Sequence, residues 1–306
     1  MSTKPLLAAG AAIAVMTVAA APAFAQSAPG NNIDSRVRQQ LAQPSEREQE
    51  TALLTGDTDI LLTRPVKLFN LHASVDMSAT SNAFLASHHA RSDGIAQIQI
   101  GVGAGTRIGG KVDIFADISV LTARYFKHDQ LDYSAVTGLI GARTRLGRLN
   151  LTALYQPSVV FTGDLGHRLL TTHRFRLSAS LPFSIKRLQV EPVIGGERAI
   201  AHPGDYSAWA ATAGVTLLLP LSKTAPVYGY ATANYERRRF DAYFPDLVGV
   251  KRKDDAVSAG IGVVWKPKAW GELRASYTFQ KAYSTSDVNR YLSHSGGLGL
   301  SGVLKF

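Results

Sequence analysis

Alternation of apolar and polar residues, repeated in segment after segment from Pro65 to the last residue, most limits what this chain can become. A period of two puts every apolar residue of a segment on one face of a β-strand. The pattern is plain in Ala96, Ile98, Ile100 and Val102, and in Val112, Ile114, Ala116, Ile118 and Val120. It recurs in Val257, Ala259, Ile261, Val263 and Trp265, and it runs to the end, where Leu298, Leu300, Leu304 and Phe306 share a face. Helical periodicity of comparable strength is absent. The alternation predicts twelve strands, approximately 66–78, 94–108, 111–124, 134–147, 149–162, 171–182, 188–198, 206–219, 226–239, 255–267, 271–284 and 292–306. Strands of this length separated only by turns predict an all-β fold, a closed sheet or a sandwich.

The connections discriminate between these. Tight links such as Gly109-Gly110, Gly147-Arg148 and Ser184-Ile-Lys-Arg187 alternate with longer polar ones such as "YFKHDQLDY" and "FDAYFPDLVGVKRKDD". Sorted loops of this kind mark a transmembrane antiparallel up-and-down β-barrel, with short periplasmic turns and longer extracellular loops. Twelve strands enclose a lumen too wide for the Ala, Val and Ile of the apolar faces to fill at protein density. Those faces are therefore expected to meet lipid. Phe69, Trp265 and Phe306 would then mark the periplasmic rim, and Phe161, Phe175, Trp209, Tyr235 and Phe279 the outer rim, as aromatic girdles.

The start of the chain has a different character. Residues 1–25 carry a lone Lys4, an apolar stretch and Ala23-Phe24-Ala25 before Gln26, the form of a cleaved secretory signal. Residues 26–64 are polar; Ile33, Val37 and Leu41 are spaced by four and Ser45-x-x-Glu48 matches a capping box, so short helices, a linker or a plug are all compatible with them. The barrel is expected from 65 to 306. The chain has no cysteine and hence no disulfide framework, and no stretch after the signal approaches the ~18 apolar residues of a membrane helix. A net charge of +10 is compatible with a polyanionic partner; behind a secretory signal, nucleic acid is not expected among them.

The signal-like start, the twelve alternating segments and the closing "SGVLKF" resemble Gram-negative outer-membrane β-barrel proteins. The resemblance implies residence in the cell outer membrane, contact with its lipids and lipopolysaccharide, and delivery by the barrel-assembly machinery, which reads a C-terminal aromatic residue, here Phe306. The stretch from Lys251 to Leu300 is also similar in texture to outer-membrane porins.

Candidate chemistry is sparse. His72, Ser74 and Asp76 imitate a hydrolytic triad, but all three share the polar, lumenal face, away from lipid. His88-His89 with Asp93 lacks a third ligand at recognisable spacing. "GVGAGTRIGG" has no helix after it, and its Gly101, Gly103 and Gly105 read as small residues on the polar face. Neither a cofactor nor enzymatic activity is expected. The remaining set is the lumenal charge: Arg107, Arg143, Arg145, Arg174, Arg176, Arg238, Arg274 and Lys305 against Asp76, Asp113, Asp117, Glu191, Glu197, Glu236 and Glu272. These residues either staple the wall by cross-strand ion pairs or line a pore and guide anions. Arg143 with Arg145, and Arg174 with Arg176, form positive stripes. Outside, Arg237, Arg239, Lys251, Arg252 and Lys253 are expected in loops within reach of lipopolysaccharide phosphates. The leading expectation is a passive channel for small hydrophilic solutes, with anions as candidate cargo. A non-conducting structural or interaction barrel comes second, and a lipid-modifying enzyme third.

Overall fold

The structure, a computed structural model, describes residues 69–88, 90–109, 111–222, 224–243, 250–268 and 270–306. The signal segment 1–25, the segment 26–64 with its capping box, His89 and Gly110 lie outside them.

Thirteen antiparallel strands form one sheet: β1 (Phe69–Thr80), β2 (Asp93–Ile108), β3 (Val112–Tyr125), β4 (Tyr133–Leu146), β5 (Leu149–Thr162), β6 (Arg168–Ser180), β7 (Phe183–Ile185), β8 (Leu188–His202), β9 (Ala208–Pro220), β10 (Val227–Tyr243), β11 (Lys251–Lys268), β12 (Gly271–Ser284) and β13 (Tyr291–Lys305). β1 pairs with β13 from Asn70–Lys305 to Thr80–Ser295, which closes the sheet into a barrel. β6 and β7 both pair with β8 and form one stave broken in the middle. The break falls at Pro182, which has no N–H for the ladder, while Leu181 N–H still donates to Pro192 O at 3.1 Å. The barrel therefore has the expected twelve staves, and the single strand predicted at 171–182 is corrected to two pieces.

Two-residue turns join β4 to β5 and β7 to β8, and Gly147 adopts φ +61°, the left-handed conformation a primed hairpin turn requires. These turns and both ends of the described chain lie at one rim, the periplasmic one in barrels of this architecture. Loops at the opposite rim include three single-turn 3-10 helices, Asp129–Leu131, Gly204–Tyr206 and Asp287–Asn289. Asn82 ties the β1–β2 loop together and to β13, donating to Ala86 O at 2.9 Å and Leu292 O at 3.2 Å. Asp93 accepts from the backbone N–H groups of Gly94, Lys127 and His128, joining β2 to the β3–β4 loop.

The wall is inside-out relative to a soluble protein. Ile98, Ile100, Ile118, Leu298 and Leu300 are exposed, while Ser74, Ser119, Thr216, Thr232, Ser258 and Ser293 are buried. Exposed apolar faces around a closed sheet are what hydrocarbon requires. Phe69, Trp265 and Phe306 point outward at the periplasmic rim, and Trp209 points outward near the other. Phe175 and Tyr235, expected at that rim, face outward midway along β6 and β10, and the Phe175 ring stacks on Tyr155 at 4.8 Å.

Both ends of one expected loop, 240–243 and 251–255, are strand. β10 continues to Tyr243 and β11 begins at Lys251, with Arg239 paired to Lys253 and Arg238 to Asp254. Charges occupy both faces there, so apolar alternation gives no sign of the strand.

Candidate functional site: the lumen

Register places every sequence-predicted lumenal charge inside the barrel, but at different depths. At the periplasmic mouth Arg107 sits opposite Asp113, and Asp113 opposite Arg143. Arg107 Nε and Nη2 donate to the two Asp113 oxygens at 2.6 and 3.1 Å, with side-chain exposures of 64% and 40%. Arg145 Nε donates to Gly147 O at 2.9 Å, held against its own turn. Glu191, Glu272 and Lys305 lie in the same lower part of the wall. Ion pairs this exposed contribute little to stability; this mouth is a wet vestibule.

Further up, the charges are out of water. Arg176 and Glu197 are paired across β6 and β8, with Arg176 Nε donating to Glu197 Oε2 at 3.0 Å. Following the register from there gives one row across six strands: Arg176, Glu197, Ala210, Arg238, Asp254, Ser284. The charges alternate in sign, and the small Ala210 on β9 leaves room between Glu197 and Arg238. Arg238 Nη2 reaches Glu236 Oε1 at 2.7 Å, and Ser284 Oγ donates to Asp254 Oδ1 at 2.6 Å. Glu197 is 6% exposed. Charges this deep are tolerated only when paired.

Arg252 corrects the expectation that placed it in an outer loop. It points inward, 1% exposed, donates from Nε and Nη2 to both Asp254 oxygens at 2.9 and 2.5 Å and lies over the Phe240 ring at 4.5 Å. Together with Arg238, Asp254, Gln280 and Tyr291, Glu236 borders a cavity of about 20 Å³, room for about one water. On the opposite side of the outer lumen, Ala123, Tyr133, Ala135, Val160 and Leu170 form an apolar cluster. The lumen is thus open to water at the periplasmic side and filled in its outer half.

The sign of the wall is not uniform. The inward positions of β4, β5 and β6 carry Arg143, Arg145, Arg174 and Arg176 and no carboxylate. Arg174 lies opposite Gln156 on β5 and Ala199 on β8, one row above the Arg176–Glu197 pair. Neither Gln156 nor Ala199 is acidic; Glu197 and Glu236 lie within electrostatic reach. Its Nε is buried and finds no hydrogen-bond partner among the described residues.

Other sequence-level candidates disperse. His72 Nδ1 is 3.4 Å from Asn70 Oδ1 and 3.5 Å from Asp117 Oδ2, while Asp76 Oδ1 takes Arg274 Nη2 at 2.5 Å; neither turns to Ser74. The Arg274–Asp76 pair crosses β13 at Gly299, which lies between the two in the register. A β-carbon there would stand 3.1 Å from Arg274 Nη2 and collide with the Asp76 carboxylate. Asp93, considered with His88 and His89, instead holds His128 Nδ1 at 2.8 Å. Among the described residues no three metal-ligating side chains come together. The sequence reading also missed Arg198. Its parity is opposite to that of Glu197, and it lies outside, Nη2 on Asp241 Oδ2 at 2.6 Å and the guanidinium over Trp209 at 5.0 Å.

No known family profile and no curated protein matches the chain. Solved structures do. An outer membrane channel from Pseudomonas putida F1 is 11% identical, with a TM-score of 0.53 over 80% of this chain and 97% of that one. The β domain of the Bordetella autotransporter BrkA is 13% identical (TM-score 0.48; 78% and 100% covered), and the translocator domain of the autotransporter NalP from Neisseria meningitidis 14% (TM-score 0.45; 84% and 97%). At such identities the likeness is one of fold and does not extend to substrate. The chain folds as an outer-membrane β-barrel of twelve staves.

Proposed function

We propose that the protein resides in the outer membrane as a narrow passive channel for small hydrophilic solutes, with a preference for anions. The observation that carries this reading is the one-signed wall of β4–β6, above all Arg174, whose buried Nε lacks a partner among the described residues. A guanidinium with an unused donor, set in a lumen of low effective dielectric, favours an anion in transit and repels a cation. The wet vestibule below it, with Arg107 and Arg143 at its edge, would gather the same ions from the periplasmic side.

The filled outer half sets the expected size of the conductance: small, and limited by the row from Arg176 to Ser284. It also favours a second reading. If the apolar cluster around Tyr133 and the Arg252 pair never part, the barrel is a non-conducting scaffold presenting its loops. Insertion of the purified chain into planar bilayers separates the two. Small, steady, anion-selective steps support the channel; a folded barrel that stays silent at every applied voltage overturns it in favour of the scaffold.

A further inference from the structure

The outward face above the apolar belt is strongly asymmetric. On β10 the outward positions Val227, Gly229, Ala231, Ala233 and Tyr235 make a lipid-facing strip, and the next two outward positions are Arg237 and Arg239. On β12 Lys281 follows Phe279 two residues on, and on β11 Lys253 and Asp255 precede Val257. Arg198 on β8 lies beside Trp209 on β9. The basic side chains therefore begin where the outer aromatic girdle ends, at the depth of lipid headgroups.

They also adjoin one another. Trp209, Arg239 and Lys253 form one cross-strand row, and Ala211, Arg237, Asp255 and Tyr283 the next. Arg198, Arg237, Arg239, Lys251, Lys253 and Lys281 face outward with only Asp241 and Asp255 on the same strand faces. Those two acids are taken by Arg198 at 2.6 Å and by Arg237 at 3.8 Å. Arg239 and Lys253 have no ion pair among the described residues. Rings flank the cations: Lys281 lies over Tyr283 at 4.7 Å and Lys251 over Tyr243 at 5.6 Å. On the other side of the barrel the upper outward faces of β1–β6 carry only Arg124 and Arg168, and Arg124 is turned onto Gly163 O at 2.6 Å and Asp132.

We infer that the outer wall of β8–β12 is a docking site for a phosphorylated glycolipid of the outer leaflet. Its phosphates would sit between Arg239, Lys253 and Lys281, and its acyl chains along the Ala- and Val-lined strip of β10 and β11. Apolar surface directly below a cluster of cations fits an amphiphile better than a soluble polyanion, since only the amphiphile satisfies both. The site is independent of whether the lumen conducts.

The test is native mass spectrometry of the purified barrel offered diphosphorylated lipid A, a partly dephosphorylated form and phosphatidylethanolamine. Wild type should retain the diphosphorylated lipid in preference. Replacing Arg239, Lys253 and Lys281 together by Gln should lower retention by roughly fivefold for each charge removed, whereas Arg168→Gln on β6, outside the cluster, should not change it. Heat-modifiable gel mobility confirms that each variant is folded. Equal retention by wild type and the triple variant, equal uptake of the partly dephosphorylated lipid, or an equal loss with Arg168→Gln would overturn the site.

Discussion

Phe69 and Phe306 exchange both of their backbone hydrogen bonds, at 3.2 and 3.0 Å, and their rings stack outside the barrel with centroids 6.2 Å apart. The first and last strands therefore meet down to the final residue, and the C-terminal aromatic is part of the seam that closes the sheet. Deleting Phe306 removes both bonds and the stack, about 1 kcal/mol for each bond and about 1 for the rings. Less folded barrel should reach the membrane, seen as loss of the heat-modifiable band. Phe306→Ala keeps the backbone bonds. If the ring is itself an assembly signal, this variant should fail in cells nearly as badly as the deletion while refolding well in detergent; equal success in both settings would deny the ring that role.

Gly299 should resist any side chain. Gly299→Val forces Arg274 away from Asp76, and separating a partly buried pair costs about 3–5 kcal/mol. Urea midpoints followed by tryptophan fluorescence should fall for Gly299→Val and for Asp76→Asn. They should fall no further in the double variant, because the same contact is already lost.

Arg252 closes part of the outer lumen. Replacing it with Ala empties space beside Phe240 and frees Asp254, so single-channel conductance should rise while the barrel stays folded. An unchanged conductance would place the narrowest point elsewhere, at the Tyr133 cluster.

Asp93 anchors the β3–β4 loop through the backbone N–H groups of Lys127 and His128 and through the His128 ring. Asp93→Ala leaves those donors unmet, a loss of about 1–3 kcal/mol of local order. New protease cuts should appear within residues 126–132 of intact cells, with the pore properties unaltered.

The barrel itself was legible because each stave has one lipid-facing side, and a period of two needs only apolar contrast to be seen. Legibility failed where that contrast vanishes. In "KRKDD" the chain alternates Lys251 out, Arg252 in, Lys253 out, Asp254 in, Asp255 out, a regular strand with charge on both faces that reads as a loop. The same blindness sent Arg252 outside and hid Arg198, whose neighbour Glu197 faces the other way. Lumenal parity was correct for all the candidate arginines. Depth was not readable from parity: nothing in the sequence separates the wet Arg107–Asp113 pair from the sequestered Arg176–Glu197 pair, because burial there is set by side chains arriving from other staves. The Arg274–Asp76 bridge depends on a glycine in a third strand, a relationship that only the register reveals.

The most direct test of the channel reading is the reversal potential of the reconstituted protein across a potassium chloride gradient, compared between wild type and Arg174→Gln. Wild type should reverse toward the chloride equilibrium potential, and Arg174→Gln should move the reversal markedly toward zero without loss of folded barrel. A wild-type reversal on the potassium side, or one that Arg174→Gln leaves in place, would contradict the assignment of anion selectivity to the β4–β6 wall.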